Sequence, residues 1–170
     1  MIIGPIETER LMLNPLTASD AEDMVAVLAD ESLYAFTGGE PPTLDALTER
    51  YRRQTSGSGV PDEQWLNWVI HTAVDQRAVG FVQATVRPNS ADIAWLVGVQ
   101  DQRRGIATEA AQAVSAWLAT KGVQRLEAHI HPSHAASQAV ARRIGLSPTA
   151  TFDGDGEETW AADLTGLRIG

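Results

Sequence analysis

The middle of the chain constrains the fold most. Three runs rich in β-branched and aromatic residues, Trp65 to Val74, Ala78 to Val86 and Asp92 to Val99, follow one another with only turn signals between them. Those signals are Asp75-Gln76 and Pro88-Asn89-Ser90. Connections this short join neighbouring antiparallel strands, so the segment reads as a meander. Gly105 then opens a helix from Ala107 to Lys121, with Gly122 placed to end it. A strand returns over Val123 to Ile130, with Leu126, Ala128 and Ile130 on one side. A short helix from His134 to Ile144 is ended by Gly145, and Asp153-Gly-Asp-Gly156 marks a hairpin before Trp160.

The first half reads as one strand and two helices. Glu9 to Leu16 is a strand stopped near Pro15. Thr17-Ala-Ser-Asp20 has the form of a capping box, and Met24, Val25, Leu28 and Ala29 recur behind it at helical spacing. Phe36-Thr-Gly-Gly-Glu-Pro-Pro42 is a breaker-rich loop. Thr43 caps a second helix with Leu44, Leu47 and Tyr51 on one face. The order β-α-α-β-β-β-α-β-α-β-β makes one α+β domain over residues 1–170, with no internal repeat.

Composition narrows the function. The chain has no cysteine, which excludes a disulfide framework, a cysteine nucleophile and thiolate metal sites. A net charge of −9 repels nucleic-acid phosphates and favours a cationic partner such as an amine. No apolar run approaches the roughly 18 residues of a membrane span, and Met1 to Arg10 does not read as a signal peptide. The expectation is a cytoplasmic protein without nucleic-acid or membrane partners. Monomer and homodimer both remain open.

One segment carries chemistry. Between Val97 and Ala110 a strand ends, a loop with Gln102, Arg103, Arg104 and Gly105 follows, and a helix begins at once with Ile106, Ala107 and Thr108. The first turn of a helix offers unpaired N–H groups and the positive end of its dipole. Gly105 and Ala107 let an anion approach that backbone closely. The segment is an anion site or an ordinary βα turn. The dinucleotide pattern GxGxxG and the nucleotide pattern GxxxxGK[ST] are both absent here.

Gln102-Arg-Arg-Gly105-Ile-Ala107 resembles the pyrophosphate motif Q/R-x-x-G-x-G/A of the GNAT N-acetyltransferase superfamily. Three further segments are similar, in the right order. They are Glu7 to Leu13 with the following Leu16 to Ala21, Asp92-Ile-Ala-Trp95, and Pro132-Ser-His-Ala-Ala-Ser137 followed by Ile144-Gly-Leu146. The branch resembled includes ribosomal-protein N-terminal and small-molecule acetyltransferases. The resemblance implies a mixed, mostly antiparallel sheet of six to seven strands flanked by about four helices. It implies acetyl-CoA as co-substrate, no metal, and acetyl transfer to a primary amine by direct attack in a ternary complex. Val97, Gly98 and Val99 would meet the pantetheine arm through the backbone. Gln102, Arg103, Arg104, Gly105, Ile106, Ala107 and Thr108 would hold the pyrophosphate. His134 stands where the family has asparagine, and imidazole can still donate one hydrogen bond to the arm.

A protonated amine has no lone pair for attack, so a base is expected. Asp92, on the strand beside the acetyl group, is the first candidate; His131 and His129 are the alternatives. Ser137 would protonate the departing thiolate. His129, His131 and His134 also spell H-x-H-x-x-H, but no carboxylate lies within the run to complete a metal site. Glu40, Trp95 and Trp68 are the candidates for lining the acceptor pocket. Two other readings stand beside the enzyme: a catalytically silent acyl-CoA-binding module, and an interaction protein that keeps the fold for assembly.

Overall fold

The computed structural model describes residues 1–165. Eight strands form one sheet: β1 (Ile6–Glu7), β2 (Leu11–Pro15), β3 (Gln64–Thr72), β4 (Ala78–Val86), β5 (Ser90–Val97), β6 (Arg125–Ile130), β7 (Ser147–Phe152) and β8 (Glu158–Asp163). Their spatial order is β1-β2-β3-β4-β5-β6-β8-β7. Four helices flank it: α1 (Ala21–Val27), α2 (Leu44–Ser56), α3 (Ile106–Thr120) and α4 (Ala135–Arg143). The strand beyond the seven expected is β1, two residues long. A pairing that short leaves no periodicity in the sequence.

The meander of β3, β4 and β5 forms as its turn signals require, with Ala78↔His71 and Val86↔Ala91 marking the ends of its ladders. The crossover through α3 brings β6 beside β5 in the sheet's one parallel pairing among the described residues. Alternation along the strands sorts side chains onto two faces. One face packs Trp68, Ile70, Val82, Ile93, Leu126 and Trp160 against Ala110, Val114 and Leu118 of α3 and Ala141 of α4. The other packs Val69 against Ala21 and Met24 of α1 and Leu47 and Tyr51 of α2. Leu44, expected on the buried face of α2, is 43% exposed because it lies in the first turn, beyond the edge of that contact. The Thr17–Asp20 capping box forms, although its first turn is a tight 3-10 turn (Ala18–Asp20) that precedes α1. Among the described residues no helix is long and apolar enough to cross a membrane.

Candidate active site

The site begins where two strands part. β5 and β6 pair only at Ser90↔Arg125, Ala91↔Leu126 and Asp92↔Glu127. Beyond that register β5 runs on to Val97 and β6 to Ile130 without facing each other's hydrogen bonds. The diverging edges leave a wedge whose unpaired backbone groups can bond an extended chain, as a sheet edge bonds an added strand. It opens into a cleft of about 1570 Å³ lined by Ile93 to Val97, Ile106 to Glu109, Ala128 to Ile130, and Ser137.

One end of the cleft lies at the start of α3. Arg103 and Gly105 both take left-handed backbone conformations, at φ 61° and 79°, and swing the chain into α3. The first helical bond there is Glu109 N–H to Gly105 O at 3.0 Å. The N–H groups of Ile106, Ala107 and Thr108 therefore have no backbone acceptor among the described residues. Gln102 does not reach into the cleft as a free donor: its Nε2 bonds Val97 O at 3.0 Å, fastening the loop to the strand end. Arg104 also differs from expectation. Its guanidinium turns to Asp101 at 3.0 Å and lies outside the cleft lining, whereas Arg103 lines it.

Two anchors hold this loop, and neither stands out in the sequence. Asp101 is nearly buried and receives both Nη atoms of Arg77, at 2.7 and 2.9 Å, besides Arg104. The Arg77 bond, against the cost of burial, leaves its carboxyl below the usual 3.8. Glu109, in the first turn of α3, accepts from Thr8 Oγ1 at 2.7 Å and from Arg10 N and Nε at 3.0 and 2.7 Å. Burial raises the Glu109 carboxyl, but these bonds outweigh it and leave it below 4.5. Arg10 also bonds Arg104 O at 3.0 Å. Arg10 and Arg143 join Arg103 on the cleft wall; Arg10 is paired with Glu109, whereas Arg103 and Arg143 have no ion pair among the described residues. Gly98 and Val99 flank the cleft rather than line it. A Cβ on Gly98 would sit 3.0 Å from Val27 Cγ1, and Val99 is exposed.

The other end gathers the acid–base groups. Asp92 lines it, but its Oδ2 is held by Arg87 Nη1 at 2.7 Å, and its Oδ1 lies 3.8 Å from His129 Nε2. His129 Nδ1 faces Asp153 at 3.6 Å. The Ser133 N–H donates to His131 Nδ1 at 3.1 Å, which leaves Nε2 to carry the proton of the neutral ring. His134, at the N-cap of α4, stacks on Phe36 with centroids 4.5 Å apart and lies 3.4 Å from Ser137 Oγ through Nε2. Burial first, then His131, lowers its pKa from 6.5, so the ring is neutral at pH 7. The three imidazoles do not share a focus. Among the described residues no group of three His, Asp or Glu could hold a metal.

Sequence reasoning missed Glu157. It sits in the turn between β7 and β8, lines the cleft, and among the described residues its carboxylate has no hydrogen bond or ion pair. Burial and then Asp153 raise its pKa above 4.5. The only sequence signal was its place directly after the hairpin glycine Gly156. Trp95 lines the cleft, half-buried. Glu40 is exposed and outside the lining. Trp68 is fully buried, its Nε1 bonded to Gly4 O at 3.1 Å and its ring edge-on to Trp117 at 5.5 Å, so core packing fixes it.

The sequence profile of the acetyltransferase (GNAT) domain matches residues 10–147, which include the wedge and the loop that leads into α3. The chain belongs to this GNAT family. Solved structures similar to it include an acetyltransferase of the GNAT family from Bacillus anthracis. That structure is 18% identical, with a TM-score of 0.80, over 94% of this chain and 98% of that one. RimL, a ribosomal alpha-N-protein acetyltransferase solved in complex with coenzyme A, is 16% identical with a TM-score of 0.77, over 94% and 97%. An acetyltransferase from Agrobacterium tumefaciens is 24% identical with a TM-score of 0.74, over 95% of each chain. No curated protein matches the sequence significantly. At these identities the likeness establishes the α+β GNAT fold, and the family establishes acetyl transfer from acetyl-CoA as the general activity.

Proposed function

We propose that this GNAT protein moves the acetyl group of acetyl-CoA onto a primary amine by direct attack in a ternary complex. The single observation that carries the reading is the wedge between β5 and β6 meeting the unpaired N–H groups of Ile106, Ala107 and Thr108. The donor's pantetheine arm extends along Ile93 to Val97, and its pyrophosphate rests on the first turn of α3 beside Arg103 and Arg10. Backbone N–H groups near Val97 polarise the thioester carbonyl.

The acceptor enters at the opposite, acidic end as an ammonium. Asp92 is committed to Arg87, so its role is to steady His129; the unpartnered Glu157 takes the proton, directly or through one water. The neutral nitrogen attacks the carbonyl carbon, the C–S bond breaks, and the proton that the nitrogen sheds on becoming an amide reaches the departing thiolate through the hydroxyl of Ser137, which neighbours neutral His134. A thermal-shift titration with acetyl-CoA, followed by thiol release on adding amines, tests the proposal. Binding with amine-dependent release supports it. Binding without release from any amine favours the silent acyl-CoA-binding module, and no binding at all favours a protein kept for assembly.

A further inference from the structure

Beside the cleft, on the α1–α2 face of the sheet, lies a recess of about 160 Å³. Its wall includes Arg50, Tyr51 and Gln54 from α2, Asn67 from β3, and Gln83 from β4. Gln83 lines the main cleft as well, so the two spaces adjoin. Register explains the route between them. Asn67 pairs with Gln83, and Gln83 with Ala94, so the three form one row across β3, β4 and β5, ending at the wedge. Two strand spacings, about 10 Å, separate the ends of that row.

Leu16, Leu28, Trp68, Phe81 and Val82 make the rest of the wall apolar, and within it one polar group is buried without a partner. Tyr51 is 4% exposed, and its hydroxyl is buried with no hydrogen-bond partner. A buried hydroxyl without a partner is costly, and native proteins rarely leave one without a reason. Burial, only partly offset by Arg50, pushes this phenol up to about 12, so it remains a donor across the working pH range. The side-chain amides of Gln54, Asn67 and Gln83 also have no hydrogen-bond partner among the described residues. No carboxylate lines the recess, although the chain as a whole carries −9. One cation, one fixed O–H donor and three amides in the lining, against the single acid Asp20 whose charge reaches the Tyr51 phenol from outside it, match a carboxylate.

We infer that this recess binds the carboxylate of the acceptor, so that the preferred amine is one carrying a carboxylate a short chain away from its nitrogen. The amine end of the inference rests on the acetyl-transfer reading; the carboxylate end rests on the recess alone. Ammonium and carboxylate then meet opposite fields, the first among Glu157, Asp153 and Asp92, the second beside Arg50.

Calorimetry with matched probes tests it. With CoA-loaded protein, 4-aminobutyrate and 6-aminohexanoate are compared with n-butylamine and n-hexylamine. At least one amino acid of the two is expected to bind about tenfold tighter than its matched alkylamine, the scale of one charge-assisted contact set. Tyr51→Phe keeps the packed ring and removes only the hydroxyl; it and Arg50→Gln should each erase most of that difference. Arg53→Gln, which removes an exposed charge on the same helix, should leave it intact. Equal affinities for both members of each pair, or differences untouched by Tyr51→Phe, would overturn the inference. If CoA does not bind, the acetyl-transfer reading fails separately, and the same probe comparison on the CoA-free protein still decides the recess.

Discussion

Replacing Asp101 with Asn tests whether the loop before α3 is held from beneath. Asp101 accepts three guanidinium contacts at 2.7, 2.9 and 3.0 Å from Arg77 and Arg104. Its own side chain is 6% exposed, but those of Arg77 and Arg104 are 49% and 62% exposed. Fully buried charge-assisted bonds contribute about 1.5–3 kcal/mol each, and solvent screening at the two arginines discounts that heavily. A net loss of about 2 kcal/mol is the reasonable figure for the set. For a chain of this length that lowers Tm by about 6 °C. The pH dependence fixes the cause. The Asp101 carboxyl is depressed in the fold, so its contribution is present above its unfolded value of 3.8 and is lost as pH falls through the lower folded value. The Tm gap between wild type and Asp101→Asn should therefore be full at pH 7 and close in acid. A looser loop also costs preorganisation, and acetyl-CoA should bind about tenfold more weakly. Differential scanning calorimetry from pH 7 to pH 3, with acetyl-CoA titrations at pH 7, measures all three effects. A Tm within 1 °C of wild type at pH 7, together with unchanged affinity, would refute the anchoring role.

Gly105→Ala places a side chain at φ 79° and 3.3 Å from Arg10 Nη2, so it should lose about 1–2 kcal/mol of stability in a melting experiment. Gly105→Val should in addition abolish acetyl-CoA binding by calorimetry, and normal affinity there would exclude the loop as the phosphate seat. Ser137→Ala should lower kcat by about tenfold or more while the acetyl-CoA Kd stays unchanged, since its proton is needed as the thiolate leaves. Glu157→Gln should lower the rate by about a hundredfold. It should also remove a rising limb of the pH–rate profile that lies above 4.5 in the wild type; an unaltered limb would return the proton to Asp92 or His129.

Much of this architecture was legible because it rests on local chemistry. Glycines 105, 122 and 145 take positive φ and mark the ends of α3 and α4 as their positions in the sequence implied. The Thr43 hydroxyl caps α2 by accepting from Ala46 N–H at 3.2 Å. The strands of the meander formed within two residues of their expected limits, because β-branched runs and turn residues are local signals. Long-range pairings were not legible. Nothing about Arg77 announces that it will meet Asp101 across the fold, or that Arg10 will meet Glu109. The same holds in the site. The wedge exists because the β5–β6 register stops at Asp92, and a register across a crossover helix leaves no trace in either strand. Asp92 reads as a free base in the sequence because nothing there tells that Arg87, five residues away across the β4–β5 turn, folds back onto its carboxylate. Glu157 escaped notice because its carboxylate's lack of a partner among the described residues shows only in the packed fold.

Amine-dependent thiol release is the most direct measurement of acetyl transfer by this protein. Saturating acetyl-CoA would be presented with carboxylated and plain amines, polyamines, aminoglycosides and peptide N-termini, and the acetamide product weighed by mass spectrometry. The expected result is thiol release matched one-for-one by acetamide for at least one amine class, absent in Gly105→Val. Release that does not depend on amine, or none across the panel from protein that acetyl-CoA demonstrably stabilises, would contradict it.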